Sequence, residues 1–166
     1  MPACRHTIRL QHCDYTQAGA YFVTLCTRRR AHHLGEVTHG RVNLTCRGEV
    51  VQEEWLRSPR IRPTVQLDSF VIMPNHLHGI VFLEGQTALG SGRGTRSKCL
   101  YRACGSLGSL IAGFKQAVTL RIAKMEGSHR PRLWQRNYYE HVIRTKAELA
   151  AVRRYIEENP LRWTGS

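Results

Sequence analysis

Apolar and polar positions alternate or recur along the chain in patterns that predict its strands and helices. Alternation predicts strands at residues 21–27, 65–73, 78–83 and 133–143, and Val37 and Val42 flank a hairpin turn. Helical periodicity predicts helices at residues 47–57 and 107–125, and a third between Thr145 and Asn159. The order is strands, helix, two strands, helix, strand, helix, which predicts an α+β fold of ferredoxin-like type, with helices covering an antiparallel sheet.

Each predicted helix has an inward face and recognisable ends. The first directs Val50, Val51, Trp55 and Leu56 inward and stops at Pro59 and Pro63. The second carries an apolar stripe at the 3.6-residue period, which comprises Leu107, Leu110, Ile111, Phe114, Val118, Ile122 and Met125. The third opens with a capping box at Thr145 and Glu148, buries Leu149, Val152 and Ile156, and closes at Asn159–Pro160.

The charge of the chain favours a polyanionic partner. Its 166 residues fit one domain, residues 1–166, and 25 Lys and Arg against 12 Asp and Glu give a net charge of +13. Phosphates neutralised by such a surface release counterions, which drives nucleic-acid binding. The simpler alternative is a basic protein without a specific nucleic-acid function. Residues 85–106 concentrate Gly and Arg and predict a flexible cationic loop, which is either a solvated insertion or a DNA contact.

Apolar runs and cysteine spacing exclude several classes. No apolar run is long enough to span a bilayer, and the first residues lack the apolar core of a secretory signal, which predicts a cytoplasmic protein. The cysteines form no C-x-x-C pair and are expected to be reduced thiols. They are Cys4, Cys13, Cys26, Cys46, Cys99 and Cys104.

Two histidines inside an apolar run are the strongest chemical signal. His76 and His78 alternate with Leu77, so on a strand both imidazoles face one side, where they can hold two cis positions on a metal ion. Tyr155 and Asn159 lie four residues apart and share one face of the last helix. Taken singly, a helical Tyr is usually packing, an Asn before Pro is a helix stop, and a buried His is structural.

Together these segments resemble a known family. The run FVIMPNHLHGIVF looks like the His-hydrophobic-His (HUH) element of single-tyrosine HUH transposases. WQRNYYEHVIR and the following Tyr-Ile-x-x-Asn-Pro are similar to the REP-associated branch, bacterial proteins linked to repetitive extragenic palindromes. YFVTLCTRRR and LGSLIAGFKQAVTLRI also resemble this branch, so the similarity extends from about Arg5 to Trp163.

The resemblance implies a site and a reaction. It makes His76, His78 and Asn159 the ligands of Mg²⁺ or Mn²⁺, and Tyr155 the nucleophile. The donor set itself suits Mn²⁺ better than Mg²⁺. The implied reaction cleaves and rejoins single-stranded, hairpin-associated DNA through a 5′-phosphotyrosine, with the HUH element on a central strand. No phosphate-binding Gly-rich motif occurs, in agreement with a reaction that needs no nucleotide cofactor.

DNA contacts are expected from arginines around this site. The candidates are Arg28, Arg29, Arg30, Arg130, Arg132, Arg136, Arg153 and Arg154. Trp134, Tyr138 and Tyr139 either stack on bases or pack in the sheet. The resemblance further implies a nucleoid-associated protein and leaves both homodimer and monomer open. The Gly/Arg-rich loop is longer than the most compact relatives need.

Two other functions stay open at this point. A phosphodiesterase would keep the metal and use water instead of Tyr155 as nucleophile. A DNA-binding protein derived from a transposase would recognise hairpins without cutting. The complete set of His76, His78, Tyr155 and Asn159 argues against the second of these.

Overall fold

A computed structural model describes residues 18–84, 106–129 and 131–164. The predicted loop at residues 85–106 lies outside this part of the chain except for Ser106, and Arg130 lies outside it too. Cys26 and Cys46 are free thiols, and the other four cysteines fall outside the described residues. None of the described helices has the length and apolar character that crossing a membrane requires.

Six strands and three helices make up the described structure. In chain order they are β1 (Gly19–Cys26), β2 (Gly35–Thr38), β3 (Arg41–Leu44), α1 (Cys46–Ile61), β4 (Val65–Met73), β5 (His76–Leu83), α2 (Leu107–Glu126), β6 (Tyr139–Ile143) and α3 (Lys146–Glu158). Short 3₁₀ segments lie at Arg28–Arg30 and Asn159–Arg162.

The main sheet has the order β4-β5-β1-β6, and all its pairs are antiparallel. Without the β2–β3 hairpin, the chain runs β1, α1, β4, β5, α2, β6, which is the ferredoxin-like β-α-β-β-α-β order. The predicted α+β class and the central position of the HUH strand are both confirmed, since β5 lies between β4 and β1.

The two faces of the sheet bury different clusters. On one face, Tyr21, Val23 and Leu25 of β1 belong to the main core, where the rings of Trp55 and Phe114 meet edge to face at 5.2 Å. On the other face, Ile80, Ile143 and Ile156 form a smaller core beneath α3. Because side chains alternate along each strand, α1 and α2 cover the first face and α3 covers the second.

Helix α1 runs further than its prolines predict. It continues through Pro59 to Ile61, because a proline in the last turn removes only one N–H, and Ser58 and Arg62 still pair across it. Leu56 is 53% exposed, so its predicted inward position is wrong, and Glu54 takes a buried position instead. The helix predicted at residues 107–125 is confirmed as α2, but Met125 lies exposed at its last turn.

The strand predicted at residues 133–143 is shorter in the structure. Only Tyr139–Ile143 forms β6, while Trp134 makes an isolated bridge with Thr27. The carbonyl oxygens of Gln135 and Asn137 accept hydrogen bonds from Nζ of Lys115 on α2. Among the described residues, backbone pairing with the end of β1 is limited here to the Arg28 N–H bond to the Leu133 carbonyl and the Gln135 N–H bond to the Cys26 carbonyl.

The predicted turn and cap chemistry is confirmed. His39 and Gly40 both have positive φ, 52° and 71°, as a two-residue turn between β2 and β3 requires. At the start of α3, Thr145 Oγ1 accepts from the backbone N–H of Glu148, whose Oε2 accepts from the N–H of Arg144.

Alanine substitutions at two helix glycines should change the free energy of unfolding in opposite directions. In Gly48→Ala the added Cβ would lie 1.9 Å from the carbonyl oxygen of Leu34, so we expect destabilisation of about 1–3 kcal/mol. In Gly113→Ala it would meet only the Arg62 guanidinium at 3.5 Å, so we expect a gain of about 0.8 kcal/mol from helix propensity. Urea unfolding measures both, and equal effects would contradict the packing at Gly48.

Candidate active site

His76 and His78 lie side by side at the start of β5. The turn at Pro74–Asn75 delivers the chain from β4 directly into β5, with Met73 opposite His76. Both histidines point to the face covered by α3, and their ring centroids are 4.4 Å apart. They are only 9% and 6% exposed. The same-face arrangement predicted from the spacing is therefore present.

Each imidazole is oriented by a hydrogen bond at Nδ1. His76 Nδ1 bonds to Oδ1 of Asn75 at 2.6 Å, and His78 Nδ1 bonds to Oγ1 of Thr24 at 2.8 Å. Thr24 is opposite His78 in the β1–β5 register. With both Nδ1 atoms engaged, the Nε2 atoms are left as ligand atoms, which is the usual arrangement around metal-binding histidines.

Burial keeps both imidazoles neutral at physiological pH. Burial and, to a smaller extent, the positive charge of Arg30 lower the pKa of His76 to about 4, while a hydrogen bond to the Asn159 side chain acts in the opposite direction. Burial lowers the pKa of His78 to about 3, with a smaller contribution from His76. Neutral imidazole is the form that binds metal ions, so no proton has to be displaced.

Tyr155 reaches the same place from α3. Its ring meets Phe22 edge to face with centroids 6.0 Å apart, and its centroid is 5.3 Å from that of His78. Its hydroxyl lies 3.4 Å from His78 Nε2, and the residue is 43% exposed. The Tyr155 ring thus packs against Phe22 on the sheet, and the rest of the side chain is exposed to solvent.

Asn159 closes the group at the end of α3. It is the C-cap residue, where the α-helix passes into the 3₁₀ segment Asn159–Arg162, and its side chain hydrogen-bonds to His76. Just beyond, the indole of Trp163 lies over the same histidine, with ring centroids 6.0 Å apart. The structure therefore brings together His76, His78, Tyr155 and Asn159.

The donor set fits a divalent cation with open positions. Among the described residues, no group of three or more His, Cys, Asp or Glu could hold a metal ion. Two imidazole nitrogens and one amide oxygen are the donors that His76, His78 and Asn159 offer. Such a mixed set suits Mn²⁺ and related transition ions, and it leaves coordination positions for phosphate oxygens.

The predicted DNA-binding arginines lie in different environments. Arg30 is close enough to His76 to lower its pKa, while Arg28, Arg132 and Arg136 line a groove beside α2. Arg29 and Arg154 are exposed. Arg153 instead pairs with Asp68 of β4, with Nε 3.0 Å from Oδ2, and so docks α3 onto the sheet.

The three aromatic candidates separate into packed and exposed residues. Trp134 and Tyr138 pack against the main core, and Lys115 lies 5.8 Å from the Tyr138 ring centroid. Tyr139 is 53% exposed on β6 and contacts Phe22 at 6.3 Å between ring centroids. Packing therefore accounts for two of them, and Tyr139 alone presents a largely exposed ring.

Sequence reasoning missed the residues that support the site. Thr24 and Phe22 lie on β1, more than fifty residues before His78, and only the strand register places them beneath it. Trp163 follows the last helix and carries no motif. The one available signal was Asn75, which directly precedes His76 in the apolar run.

Comparison with known sequences assigns the chain to a family. No protein-family model matches the chain. The chain belongs to the same family as an uncharacterized protein of Haemophilus influenzae, which is 34% identical over 163 residues, covering 96% of this chain and 89% of that protein.

Solved structures place the fold among transposases. A REP-associated tyrosine transposase bound to a REP hairpin matches with a TM-score of 0.63 and 20% identity, covering 93% of this chain and 74% of that one. A candidate transposase from Deinococcus radiodurans R1 matches with a TM-score of 0.51 and 14% identity, over 90% and 96% of the two chains. The chain therefore has a transposase-like fold.

The buried histidines predict a pH dependence of stability in the metal-free protein. In the unfolded chain both titrate near pH 6.5, whereas the folded protein holds their pKa values at about 4 and about 3. The free energy of unfolding therefore keeps its full histidine contribution above pH 6.5. It falls as the pH is lowered towards 4, because only the unfolded state takes up protons. The slope should approach about 1.4 kcal/mol per pH unit for each histidine.

Urea unfolding in EDTA between pH 7.5 and 5.0 measures this slope. The variant His76→Gln/His78→Gln should lose most of it, while His39→Asn, at an exposed turn, should retain it. The window lies above the range in which carboxylates titrate. An unchanged slope in the double variant would contradict the neutral, buried state of these imidazoles.

Proposed function

We propose that this protein is a metal-dependent HUH tyrosine transposase or endonuclease, which cleaves and rejoins single-stranded DNA through a 5′-phosphotyrosine. The observation that carries the proposal is the 3.4 Å separation between the Tyr155 hydroxyl and Nε2 of His78, which is paired with His76 on one strand. A solvent-open phenol beside two neutral imidazoles is what such a reaction requires. The transposase-like fold supports the same conclusion.

In the proposed reaction, Tyr155 is the nucleophile and three other residues are the metal ligands. Oη of Tyr155 attacks phosphorus and forms the phosphotyrosine bond, while the bond from phosphorus to the 3′ oxygen breaks. One proton passes from the phenol to the departing 3′ oxygen, so the products are a 5′-phosphotyrosine and a free 3′-hydroxyl. A divalent cation held by His76, His78 and Asn159 would supply Lewis-acid polarisation of the phosphate.

The reaction is close to reversible because one phosphodiester is exchanged for another. The 3′-hydroxyl of a second DNA end can therefore attack the phosphotyrosine and rejoin the strands. Phe22 beneath the Tyr155 ring and the Asp68–Arg153 pair hold α3 in place during this exchange. Holding the nucleophile at the phosphate accounts for much of such a rate enhancement.

The proposed substrate is single-stranded DNA that carries a hairpin. The REP-associated tyrosine transposase of similar fold was solved bound to a REP hairpin, and the charge of +13 favours a polyanion. A phosphodiesterase that uses water is the second candidate, because the 43% exposure of Tyr155 leaves the position of the nucleophile in contact with solvent. The two candidates differ in whether Tyr155 becomes covalently attached to DNA.

Replacing Tyr155 by Phe should abolish covalent attachment. The substrate is a hairpin oligonucleotide with unpaired flanks, labelled at its 3′ end, because a 5′-phosphotyrosine keeps the 3′ fragment on the protein. After incubation with Mn²⁺, denaturing electrophoresis should show a slow, protease-sensitive band with the wild-type protein. The Tyr155→Phe variant should reduce this band by at least about a thousandfold, since phenylalanine keeps the ring but lacks the hydroxyl that attacks phosphorus.

Tyr139→Phe is the matched control. Its ring also contacts Phe22 and is similarly exposed, but no hydrogen bond joins its hydroxyl to either histidine. It should form the adduct at close to the wild-type level. Strand cleavage that persists in Tyr155→Phe would instead establish the water-using phosphodiesterase, and binding without cleavage by the wild type would indicate a DNA-binding protein.

Mn²⁺ should bind the histidine pair directly. Binding to the folded state alone raises stability, so saturating Mn²⁺ at about 100 times Kd should add about 2.7 kcal/mol to the free energy of unfolding. Thermal unfolding with and without Mn²⁺ measures this shift. His76→Ala and His78→Ala should each lose most of it, whereas His141→Ala, on β6 and paired with Glu148, should keep it. A shift equal in all four proteins would contradict this metal site.

A further inference from the structure

We infer that the groove between α2 and residues 131–136 binds an unpaired DNA segment that continues from the cleaved phosphate. The inference rests on the proposed function for the identity of the polyanion and adds a second binding surface to it. The groove has a volume of about 710 Å³ and lies on the side of the sheet opposite α3. It is therefore separate from the histidine pair.

The groove is cationic, and no acidic side chain is among the described residues that line it. Arg28, Arg132 and Arg136 line it together with Lys115. Lys115 Nζ donates hydrogen bonds to the carbonyl oxygens of Gln135 and Asn137. Its role is therefore to hold residues 135–137 against α2, and its charge is not counted as available to a ligand. The three arginines are exposed, and within the described part of the chain none of them forms an ion pair.

Arginines elsewhere in the fold behave differently. Within the described residues, several arginines on the helices bind carboxylates, and their charge is used within the protein. These pairs are Arg47–Glu126, Arg57–Glu54, Arg121–Glu53, Arg121–Glu54, Arg153–Asp68 and Arg162–Glu158. Because none of the described groove residues is acidic, the charge of the groove arginines is available to an external phosphate.

Apolar side chains between the arginines favour an unpaired strand over a duplex. Leu120 is exposed on α2, and Pro131 and Trp134 continue the apolar wall on the other side. Grooves that bind single strands combine cations for the backbone with apolar and aromatic surface for the bases. In a duplex the bases are stacked on one another, so this apolar surface would gain nothing.

A short turn connects the groove to the candidate active site. Arg28 lines the groove, and Cys26, two residues before it, is paired with His76 in the β1–β5 register. The turn is fixed to both sides, since Thr27 N–H donates to the carbonyl of Asn75 and Arg28 N–H donates to that of Leu133.

The backbone of this turn is held in an unusual conformation. Arg29 and Arg30 both have positive φ, 57° and 52°, which is rare for residues other than glycine and costs free energy. The two left-handed residues reverse the chain at the end of β1. The turn therefore lies between the groove and the histidines, so one strand can contact both.

Binding of a fluorescein-labelled, unstructured 20-nucleotide strand tests this surface. Arg132→Gln/Arg136→Gln should weaken binding about tenfold at 150 mM salt. It should also reduce the slope of log K against log salt by about 1.4, because each phosphate contact on a single strand contributes about 0.7. The same measurement on the duplex of that sequence should show a smaller loss.

The control removes two exposed arginines at the opposite end of the sheet. Arg60→Gln/Arg144→Gln has the same net charge, and Arg144 follows Ile143, which pairs with Ala20, at the end of β6 away from His76. This variant should keep the wild-type slope within about 0.3. Equal slopes in the two double variants would overturn the inference, and equal losses on single strand and duplex would overturn its assignment to an unpaired strand.

Leu120→Gln tests the apolar wall without a change of charge. It should weaken binding of the single strand severalfold and leave the salt slope unchanged. Leu56→Gln, on the exposed face of α1, should leave both unchanged. Equal affinities of the two leucine variants would contradict a role for the apolar wall.

The groove and the proposed function can fail separately. The groove variant should still form the covalent Tyr155 adduct when DNA is saturating, since it retains the candidate active site. Groove-dependent binding without any adduct in the wild type would contradict the proposed function alone. An adduct without any effect of the groove arginines on binding would contradict the groove alone.

Discussion

Backbone hydrogen bonds between β1 and β5 set Thr24 opposite His78 and Cys26 opposite His76. This register decides which side chains orient the imidazoles, because a shift of one residue would turn every side chain of β5 to the other face. Both histidines would then point into the main core among aliphatic side chains. The β-strand pairing is therefore what converts two alternate histidines into a site facing α3.

The position of Tyr155 depends on how α3 is held against that face. Ile156, the next residue, is buried against Ile80 and Ile143, and burial of such a side chain contributes about 1.5–3 kcal/mol. The Asp68–Arg153 pair is partly exposed and contributes at most about 1 kcal/mol. Apolar packing thus supplies most of the docking energy, while the ion pair adds a contact from α3 to Asp68, at the irregular register after Leu67.

Some arginines of the protein are paired with carboxylates, and others are exposed without an ion pair among the described residues. Several arginines on the helices are paired with carboxylates, which joins α1 to α2 and α3 to β4. Arginines at the end of β1 and in residues 131–136 remain available to an external anion. An anionic strand would therefore be drawn to one edge of the sheet, where the turn at Arg28–Arg30 lies between the groove and the histidines.

The sequence by itself determined the element order, the facing histidines and the Tyr155–Asn159 spacing, because these depend on local periodicity and capping. The positions predicted for the end of α1 and the start of β6 were wrong. Helix α1 continues through Pro59, and Lys115 donates to the carbonyl of Gln135 in the stretch before β6. Thr24, Phe22, Trp163 and the groove were decided only by the tertiary structure. Strand register and helix docking join residues far apart in the chain, and no local pattern records such contacts.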